Sequence, residues 1–129
     1  MDAIVVVNCG SSSVKLDVFD TDVRQALLSA AVERVGTADA RLSLELASTK
    51  DKPAEEERQP LPGADHDVAV AALLAAVAAR GFVIKAFGHR VVHGGERLTD
   101  SLIVDDAVLA GIEACVPLAP LHNPANLKG

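Results

Sequence analysis

The sequence predicts an α/β domain in which an antiparallel β-meander is followed by α/β units. The chain opens with an apolar run over residues 3–7, which is typical of a strand buried on both faces. Turn-forming residues interrupt this run, and residues 14–19 then alternate between apolar and other side chains, as a half-buried strand does. Beyond residue 64, helical patterns flank one further strand.

Two more strands complete the predicted meander, over residues 26–34 and 41–46. The segment 48–63 that follows carries three prolines and a run of three glutamates. We interpret it as a solvated loop and give its charge run no functional role.

A helix is predicted after this loop. Asp65 or Asp67 can cap its start, and the helix should run to Arg80 with Gly81 as its C′ residue. Its apolar stripe is predicted to consist of Val68, Leu73, Leu74 and Val77.

The remaining elements are a strand and two helix starts. Residues 82–87 lead into the strand, and Asp105 or Asp106 begins a second helix that runs through Cys115. Asn123, followed by a proline at the first helical position, begins a third helix shortly before residue 129. Because this last helix is begun and not finished, we expect the chain to be truncated.

Composition argues against several classes of function. Half of the 129 residues are hydrophobic, which is enough for the core of about one domain. The net charge of −6 and the lack of a five-residue basic run argue against a nucleic-acid surface. No apolar stretch approaches the roughly 20 residues of a membrane span, and no basic leader is evident. Cys9 and Cys115 form no CxxC pair, so we expect reduced thiols in a cytoplasmic protein.

The first candidate binding motif is the turn 8–13, Asn-Cys-Gly-Ser-Ser-Ser, with Lys15 just beyond it. Gly10 lets the backbone approach a ligand closely, and successive N–H groups can form an anion-binding nest. Lys15 lies off the apolar face of its strand, where its ammonium group can reach a phosphate. The motif is neither GxxxxGK[ST] nor GxGxxG, and a turn without a ligand is the alternative.

The second motif is Gly-His-Arg-Val-Val-His-Gly-Gly over residues 88–95. Alternation puts Arg90 and Val92 on one strand face and His89 and His93 on the other. A guanidinium fork beside an isopropyl group suits a small carboxylic acid with a short alkyl tail. The two histidines would lie about 13 Å apart along a strand, so we do not expect them to share a metal ion.

The third motif is the turn Ala-Pro-Leu-His-Asn-Pro over residues 119–124. His122, just before a helix start, can donate a hydrogen bond to an anion gathered there. The alternative is a structural turn with a solvated histidine.

Together these segments resemble the acetate and propionate kinase family. The matching strings are residues 6–15, 88–96 and 118–127, and they occur in the family's order and spacing. The resemblance implies an actin-like ATPase (ribonuclease H-like) fold, of which this chain is a truncated N-terminal half. We therefore expect residues 1–129 to form an incomplete N-terminal domain, with the family's C-terminal domain absent.

The resemblance also implies an activity, the reversible, ATP-dependent phosphorylation of acetate to acetyl phosphate. Mg²⁺ or Mn²⁺ is the expected cofactor, and ATP is the co-substrate. Family members are usually homodimers, so the expected partners are acetate or acetyl phosphate, ATP or ADP and a second copy, but no nucleic acid or membrane. The family's site residues fall here on Asn8 for the metal, on Ser11, Ser13, Lys15 and His122 for phosphate, and on Arg90 and Val92 for the acid.

The family's catalytic aspartate, transition-state histidine, second arginine and metal-binding glutamate lie beyond residue 129. We therefore expect no catalytic residue in this chain and negligible turnover from it alone. Valine at 92, where propionate-preferring relatives tend to carry alanine, favours acetate over propionate by a small margin. The alternatives are a propionate or short-chain acid kinase, a non-catalytic phosphate- or nucleotide-binding half-domain, and a structural half that pairs with a separately encoded partner.

Overall fold

The computed structural model describes residues 2–22, 25–91, 101–118 and 123–128 of the chain. The strands in these ranges are β1 (Asp2–Cys9), β2 (Ser13–Asp20), β3 (Ala26–Glu33), β4 (Arg41–Leu46), β5 (Glu55–Pro60) and β6 (Val83–His89). The helices are α1 (His66–Ala78), α2 (Asp106–Ala114) and α3 (Asn123–Lys128), with a short 3-10 helix at Val116–Leu118.

All six strands pair in one sheet, in the order β5-β4-β3-β2-β1-β6. Strands β1 to β5 follow one another along the chain and pair antiparallel, which short turns allow. The chain then crosses through α1, and β6 pairs in parallel with the far side of β1. The predicted meander is confirmed, and the bounds of β3 and β4 agree with the prediction to within one residue.

The pairing of β1 with β6 contains one irregularity. Ala3 lies opposite Ile84, whereas the next residue, Ile4, lies opposite Ala86, so Lys85 is the extra residue of a β-bulge. Beyond the bulge the register is regular to the end of β6.

One face of the sheet carries the core. Every second side chain of β1 and β2 is buried on this face, and α1 packs across it. On the other face Ile4 and Val6 remain 36% and 39% exposed. The expectation that the run 3–7 is buried on both faces is therefore wrong, because none of the described elements covers the second face. The core includes Ala3, Val5, Val7, Val14, Leu16, Val18, Leu28, Val32, Leu44, Ala69, Leu73 and Val77.

The segment interpreted as a solvated loop contains a strand. β5 pairs antiparallel with β4 along its whole length. All six residues of β5 are exposed, and three of them are glutamates. A charged edge strand has no apolar alternation by which a sequence could reveal it, and its charges discourage pairing with a further chain.

Helix α1 begins where the sequence predicts and ends slightly earlier. The Asp65 side chain accepts a hydrogen bond from the Val68 amide at 2.8 Å and caps the start. The helix ends at Ala78 with Ala79 as its C-cap, so Gly81, at φ +79°, is the C″ residue and not C′.

The buried face of α1 differs from the predicted stripe. Val68 is 50% exposed, and Leu74 is only half-buried. Alanine and valine occur on all sides of this helix, so the sequence pattern does not identify the face that is buried. The buried positions are Ala69, Leu73 and Val77.

The last two helices begin at the predicted positions. Asp105 caps α2, accepting a hydrogen bond from the Val108 amide at 2.8 Å, and the helix ends at the C-cap Cys115. α3 packs against β1 and α1. Within the described ranges, no helix is both long and apolar enough to cross a membrane.

Candidate active site at the carboxyl edge of the sheet

The topology brings two of the three sequence motifs to one edge of the sheet. β1 and β6 are parallel, so their carboxyl ends meet at the same edge. The turn 8–13 leaves β1 at this edge, and Arg90 directly follows β6. The Arg90 amide donates to the carbonyl of Val7 at 3.1 Å, which ties the two segments together. In α/β sheets, ligands commonly bind outside the carboxyl ends of the strands.

Asn8 and Lys15 lie side by side at this edge. They are direct partners in the register of β1 with β2, on the face of the sheet that α1 leaves open. Asn8 is half-buried and Lys15 is exposed. On the other side of β1, continuing the register beyond Val7–His89 by one residue brings Arg90 next to Asn8. Continued in this way, the register would place an amide between two cations on the open face.

The two cations have no carboxylate partner among the described residues. The ion pairs in this part of the chain involve other side chains, such as Arg41 with Glu33 at 3.4 Å and Lys85 with Asp2 at 3.9 Å. Lys15 and Arg90 are therefore available to an anionic ligand.

The turn itself directs its carbonyl groups back into the protein. The Gly10 amide donates to the Ser13 carbonyl at 2.7 Å, and the Val35 amide donates to the Ser12 carbonyl at 2.9 Å. The Gly10 carbonyl accepts from Nε2 of His66 at 2.6 Å. Over the described residues, the amides of Ser11 and Ser12 donate to no backbone acceptor. Successive N–H groups that make no backbone hydrogen bond can bind an anion.

A side chain at position 10 would be in ordinary contact with the turn and would not clash. A Cβ atom there would lie 3.4 Å from Oγ of Ser13 and 3.5 Å from its carbonyl oxygen. Ser11 is exposed and Ser13 is half-buried, so the turn presents hydroxyl groups as well as amides.

His89 supports the site from the opposite side of β6. It pairs with Val7, on the face that carries the core. Its Nδ1 lies 2.7 Å from the Arg90 carbonyl, and its buried Nε2 has no partner within the described ranges. The described residues contain no group of three His, Cys, Asp or Glu side chains that could hold a metal ion. His93 lies outside the described residues.

Burial of Cys9, at the end of β1 on the covered face, affects its chemistry. Burial raises the pKa of the Cys9 thiol, because a thiolate there would lose its hydration. Cys9 is therefore kept as a neutral thiol next to the turn. Neither Cys9 nor Cys115 forms a disulfide.

Five of the seven predicted site residues thus lie at one edge, namely Asn8, Ser11, Ser13, Lys15 and Arg90. Val92 and His122 lie outside the described residues, so their assignments remain predictions. Asn123, directly after His122, is fully buried, and its side-chain amide donates to the carbonyl of Ile112 at 3.3 Å. His66 was not among the predicted residues, and no local motif marks it, because its contact spans 56 positions.

Comparison with known proteins identifies relatives over almost the whole chain. Residues 3–129 match the acetokinase family. Acetate kinase 1 of Neisseria meningitidis is 46% identical over 128 residues, which are 98% of this chain and 31% of that protein. The acetate kinase of Oceanobacillus iheyensis is 42% identical over 134 aligned residues, covering 100% of this chain and 32% of that protein.

Solved structures agree with the sequence relatives. A propionate kinase from Francisella tularensis superposes with a TM-score of 0.89 at 31% identity, over 100% of this chain and 32% of that one. Acetate kinase from Porphyromonas gingivalis gives a TM-score of 0.81 at 36% identity, over 100% of this chain and 33% of that one. The predicted family and fold class are confirmed, and the chain spans about a third of the length of these relatives. This chain belongs to the acetokinase family.

Proposed function

We propose that this chain is the N-terminal part of a kinase that transfers a phosphoryl group from ATP to acetate, reversibly forming acetyl phosphate. The observation that carries the proposal is the meeting of Arg90, Lys15 and the open turn 8–13 at one edge of the sheet. An anionic nucleotide and an anionic acid must be brought together in this reaction, and two cations that have no carboxylate partner in the described part of the chain suit both.

Different residues would bind the two substrates. Arg90 follows β6 and would hold the carboxylate with two parallel hydrogen bonds from its guanidinium fork. Lys15 and the hydroxyl and amide groups of Ser11 and Ser13 would hold the phosphates. Val92 is proposed to line the pocket for the methyl group and His122 to lie near the phosphates.

Positioning is the main task of these residues. A carboxylate is already ionised and needs no general base, so it can attack the γ-phosphorus directly once it is in line with the leaving oxygen. Lys15 would offset the charge that the transferred group carries on its oxygens. The hydrogen bond of the Arg90 amide to Val7 fixes the start of the acid-binding segment relative to the turn.

The side chain of Asn8 is chemically suited to bind a metal ion. It offers a neutral oxygen ligand, half-buried and next to Lys15, and Mg²⁺ in kinases is held by few protein oxygens together with substrate phosphates. A bound Mg²⁺ or Mn²⁺ would neutralise phosphate charge. Other protein ligands for it are proposed to come from the longer protein.

We also propose that this chain alone is inactive. It spans 31–33% of its relatives, and the expected catalytic aspartate, second arginine and adenine pocket belong to the remainder. The longer protein is proposed to be a cytoplasmic homodimer. A non-catalytic half-domain that binds phosphate or nucleotide, or a structural half with a separately encoded partner, would share the same turn without the reaction.

A propionate kinase is the second candidate, because the solved propionate kinase superposes on this chain with a TM-score of 0.89. The two acids differ by one methylene, which is worth only about 1–3 kcal/mol in a hydrophobic pocket. The preference for acetate rests on valine at position 92.

The test is formation of acyl hydroxamate from ATP, hydroxylamine and either acid, with protein made in a host that lacks acetate kinase. We expect the longer protein to turn over acetate at roughly 1–100 s⁻¹ and propionate more slowly. The 129-residue chain should stay at background. Faster turnover of propionate would favour the second candidate, and nucleotide binding without either product would favour the binding module. Turnover by the 129-residue chain alone would contradict its proposed inactivity.

A further inference from the structure

The hydrogen bond between His66 and the turn joins two distant parts of the chain. Nε2 of His66, the first residue of α1, lies 2.6 Å from the carbonyl oxygen of Gly10. A carbonyl oxygen can only accept, so Nε2 carries the proton and donates it. The side chain is half-buried, against the covered side of the turn.

This bond takes the place of one that the hairpin would otherwise make for itself. In a two-residue hairpin turn, the carbonyl of the first residue usually accepts from the amide three positions later. Here the Gly10 amide donates to the Ser13 carbonyl at 2.7 Å, but the described backbone bonds include no return bond from the Ser13 amide to Gly10. The Gly10 carbonyl accepts from His66 instead. The backbone bond that would close the turn is not made, and we call the turn open for this reason.

An open turn favours an anion for electrostatic reasons. Carbonyl oxygens repel a phosphate, and amide N–H groups attract it. His66 holds the Gly10 carbonyl and Val35 holds the Ser12 carbonyl, both on the side of the scaffold. Among the described backbone hydrogen bonds, the amides of Ser11 and Ser12 donate none, and the Ser13 amide donates none to Gly10.

The imidazole is itself held by a fixed element. Asp65 caps the helix start at 2.8 Å from the Val68 amide, and the Gly36 amide donates to the Ala64 carbonyl at 2.7 Å just before it. Ala69, one turn along the helix from His66, is fully buried. The donor to Gly10 therefore sits on a rigid part of the fold.

We propose that His66 is a positioning residue that keeps the turn 8–13 in its anion-binding conformation, for a di- or triphosphate ligand. This inference rests on the proposed function, in which the turn binds the phosphates of ATP. Without His66, the Ser13 amide closes onto the Gly10 carbonyl and is lost to the ligand.

Three variants of the 129-residue chain test the proposal, and amide NMR spectra provide two readouts. His66→Leu removes the donor, whereas His66→Gln keeps an amide nitrogen near the position of Nε2. Asp67→Asn, an exposed change one residue along α1, is the control. The first readout is hydrogen exchange at the Ser13 amide without ligand. The second is a titration with inorganic pyrophosphate, followed at the amides of residues 11–13.

In wild type we expect fast exchange at Ser13 and saturable pyrophosphate shifts in the turn. His66→Leu should slow Ser13 exchange and weaken pyrophosphate binding about three- to tenfold, the value of one amide hydrogen bond. His66→Gln should restore most of both, and Asp67→Asn should match wild type. If the leucine variant does not fold, His66→Asn, whose amide stops short of Gly10, takes its place with the same expectation.

Wild-type exchange and affinity in His66→Leu would overturn the role of His66 and leave the proposed function standing. A wild-type chain whose turn shows no pyrophosphate shifts would overturn both, because the turn would then bind no phosphate. A loss of affinity in Asp67→Asn equal to that in His66→Leu would assign the effect to the helix start in general, and would also overturn the role of His66.

Discussion

The two neighbours of β1 in the sheet are packed very differently. On one side, β2 buries Val14, Leu16 and Val18 beneath α1, each with at most 3% of its surface exposed. On the other side, β6 leaves Phe87, which pairs with Val5 on the same face, at 57% exposure. The candidate site is divided along the same line, since the turn proposed to bind phosphate belongs to the β1–β2 hairpin and Arg90 follows β6.

This difference indicates how each half of the site is held. The turn is fixed by contacts within this chain, through the sheet, Val35 and His66. Arg90 is exposed and is tied to the sheet by its amide bond to Val7. We therefore expect the half proposed to bind phosphate to form in this chain alone, and the half proposed to bind the acid to need the longer protein.

The largest expected effect is on the acid-binding half, in the longer protein. If Arg90 makes two charge-assisted hydrogen bonds to acetate, Arg90→Ala should lower kcat/KM for acetate by about 10²–10⁴. Arg90→Lys should recover only part of this, because an ammonium group lacks the planar fork. Steady-state kinetics with each substrate varied should find KM for ATP nearly unchanged.

The control for this pair is Arg58→Ala, which removes an exposed arginine of the edge strand β5. It should leave kcat/KM and the melting temperature close to wild type, since exposed ion pairs stabilise little. A stable Arg90→Ala enzyme with kcat/KM within threefold of wild type would remove Arg90 from the site.

The next prediction compares two aspartate caps, one at the start of α1 and one at the start of α2. Asp65 and Asp105 each accept a hydrogen bond at 2.8 Å, from the amides of Val68 and Val108. α1 buries three residues in the core, whereas α2 buries only Ile112 among its described side chains. In urea unfolding of the 129-residue chain, Asp65→Ala should therefore lower the free energy of unfolding by about 1 kcal/mol, and Asp105→Ala by less than about 0.5 kcal/mol.

The reason is that α2 can fray while the core remains folded. Hydrogen exchange should then show local opening of α2 in Asp105→Ala without a change in the sheet. Equal losses of global stability in the two variants would mean that α2 unfolds together with the meander, and the contrast between the two regions would not hold.

The smallest effect concerns Cys9, on the well-packed side. Burial raises the pKa of the Cys9 thiol above its ordinary value of 9.0, so the unfolded chain ionises first. The stability that the neutral thiol provides is fully present below about pH 9 and falls as pH rises further. Urea unfolding at pH 7 and pH 10 should show a larger loss for wild type than for Cys9→Ala. The same loss in both would indicate that this thiol is not shielded.

Local patterns predicted the meander but not its last strand or its helix face. Tight turns and two-residue alternation specify neighbouring antiparallel strands, so β1 to β4 could be predicted from the sequence. β5 has both faces in solvent and gives no alternation. In α1, alanine contributes to the buried face, and Val68 is exposed although it is the more apolar residue.

The residues of the candidate site also differ in whether the sequence could predict them. Asn8, Lys15 and Arg90 belong to the short strings that carry the resemblance to the family, so the sequence alone singled them out. The contact of His66 with Gly10 depends on the position of α1 over the sheet, and a separation of 56 residues leaves no periodic trace. The approach of Arg90 to the end of β1 likewise follows from the parallel pairing of β1 with β6, which no local pattern encodes.

The bulge at Lys85 determines which face of the sheet each later residue of β6 lies on. Ile84 and Phe87 are an odd number of positions apart, yet both lie opposite residues of the covered face, Ala3 and Val5, because the extra residue resets the alternation. If Lys85 were paired with Ile4 in regular register, Arg90 would fall opposite Cys9, and its charged side chain would turn toward the core. Deleting Lys85 would therefore leave Arg90 beside Asn8, whereas pairing Lys85 in the ladder would turn the end of β6 over, so the bulge serves the candidate site by absorbing one residue.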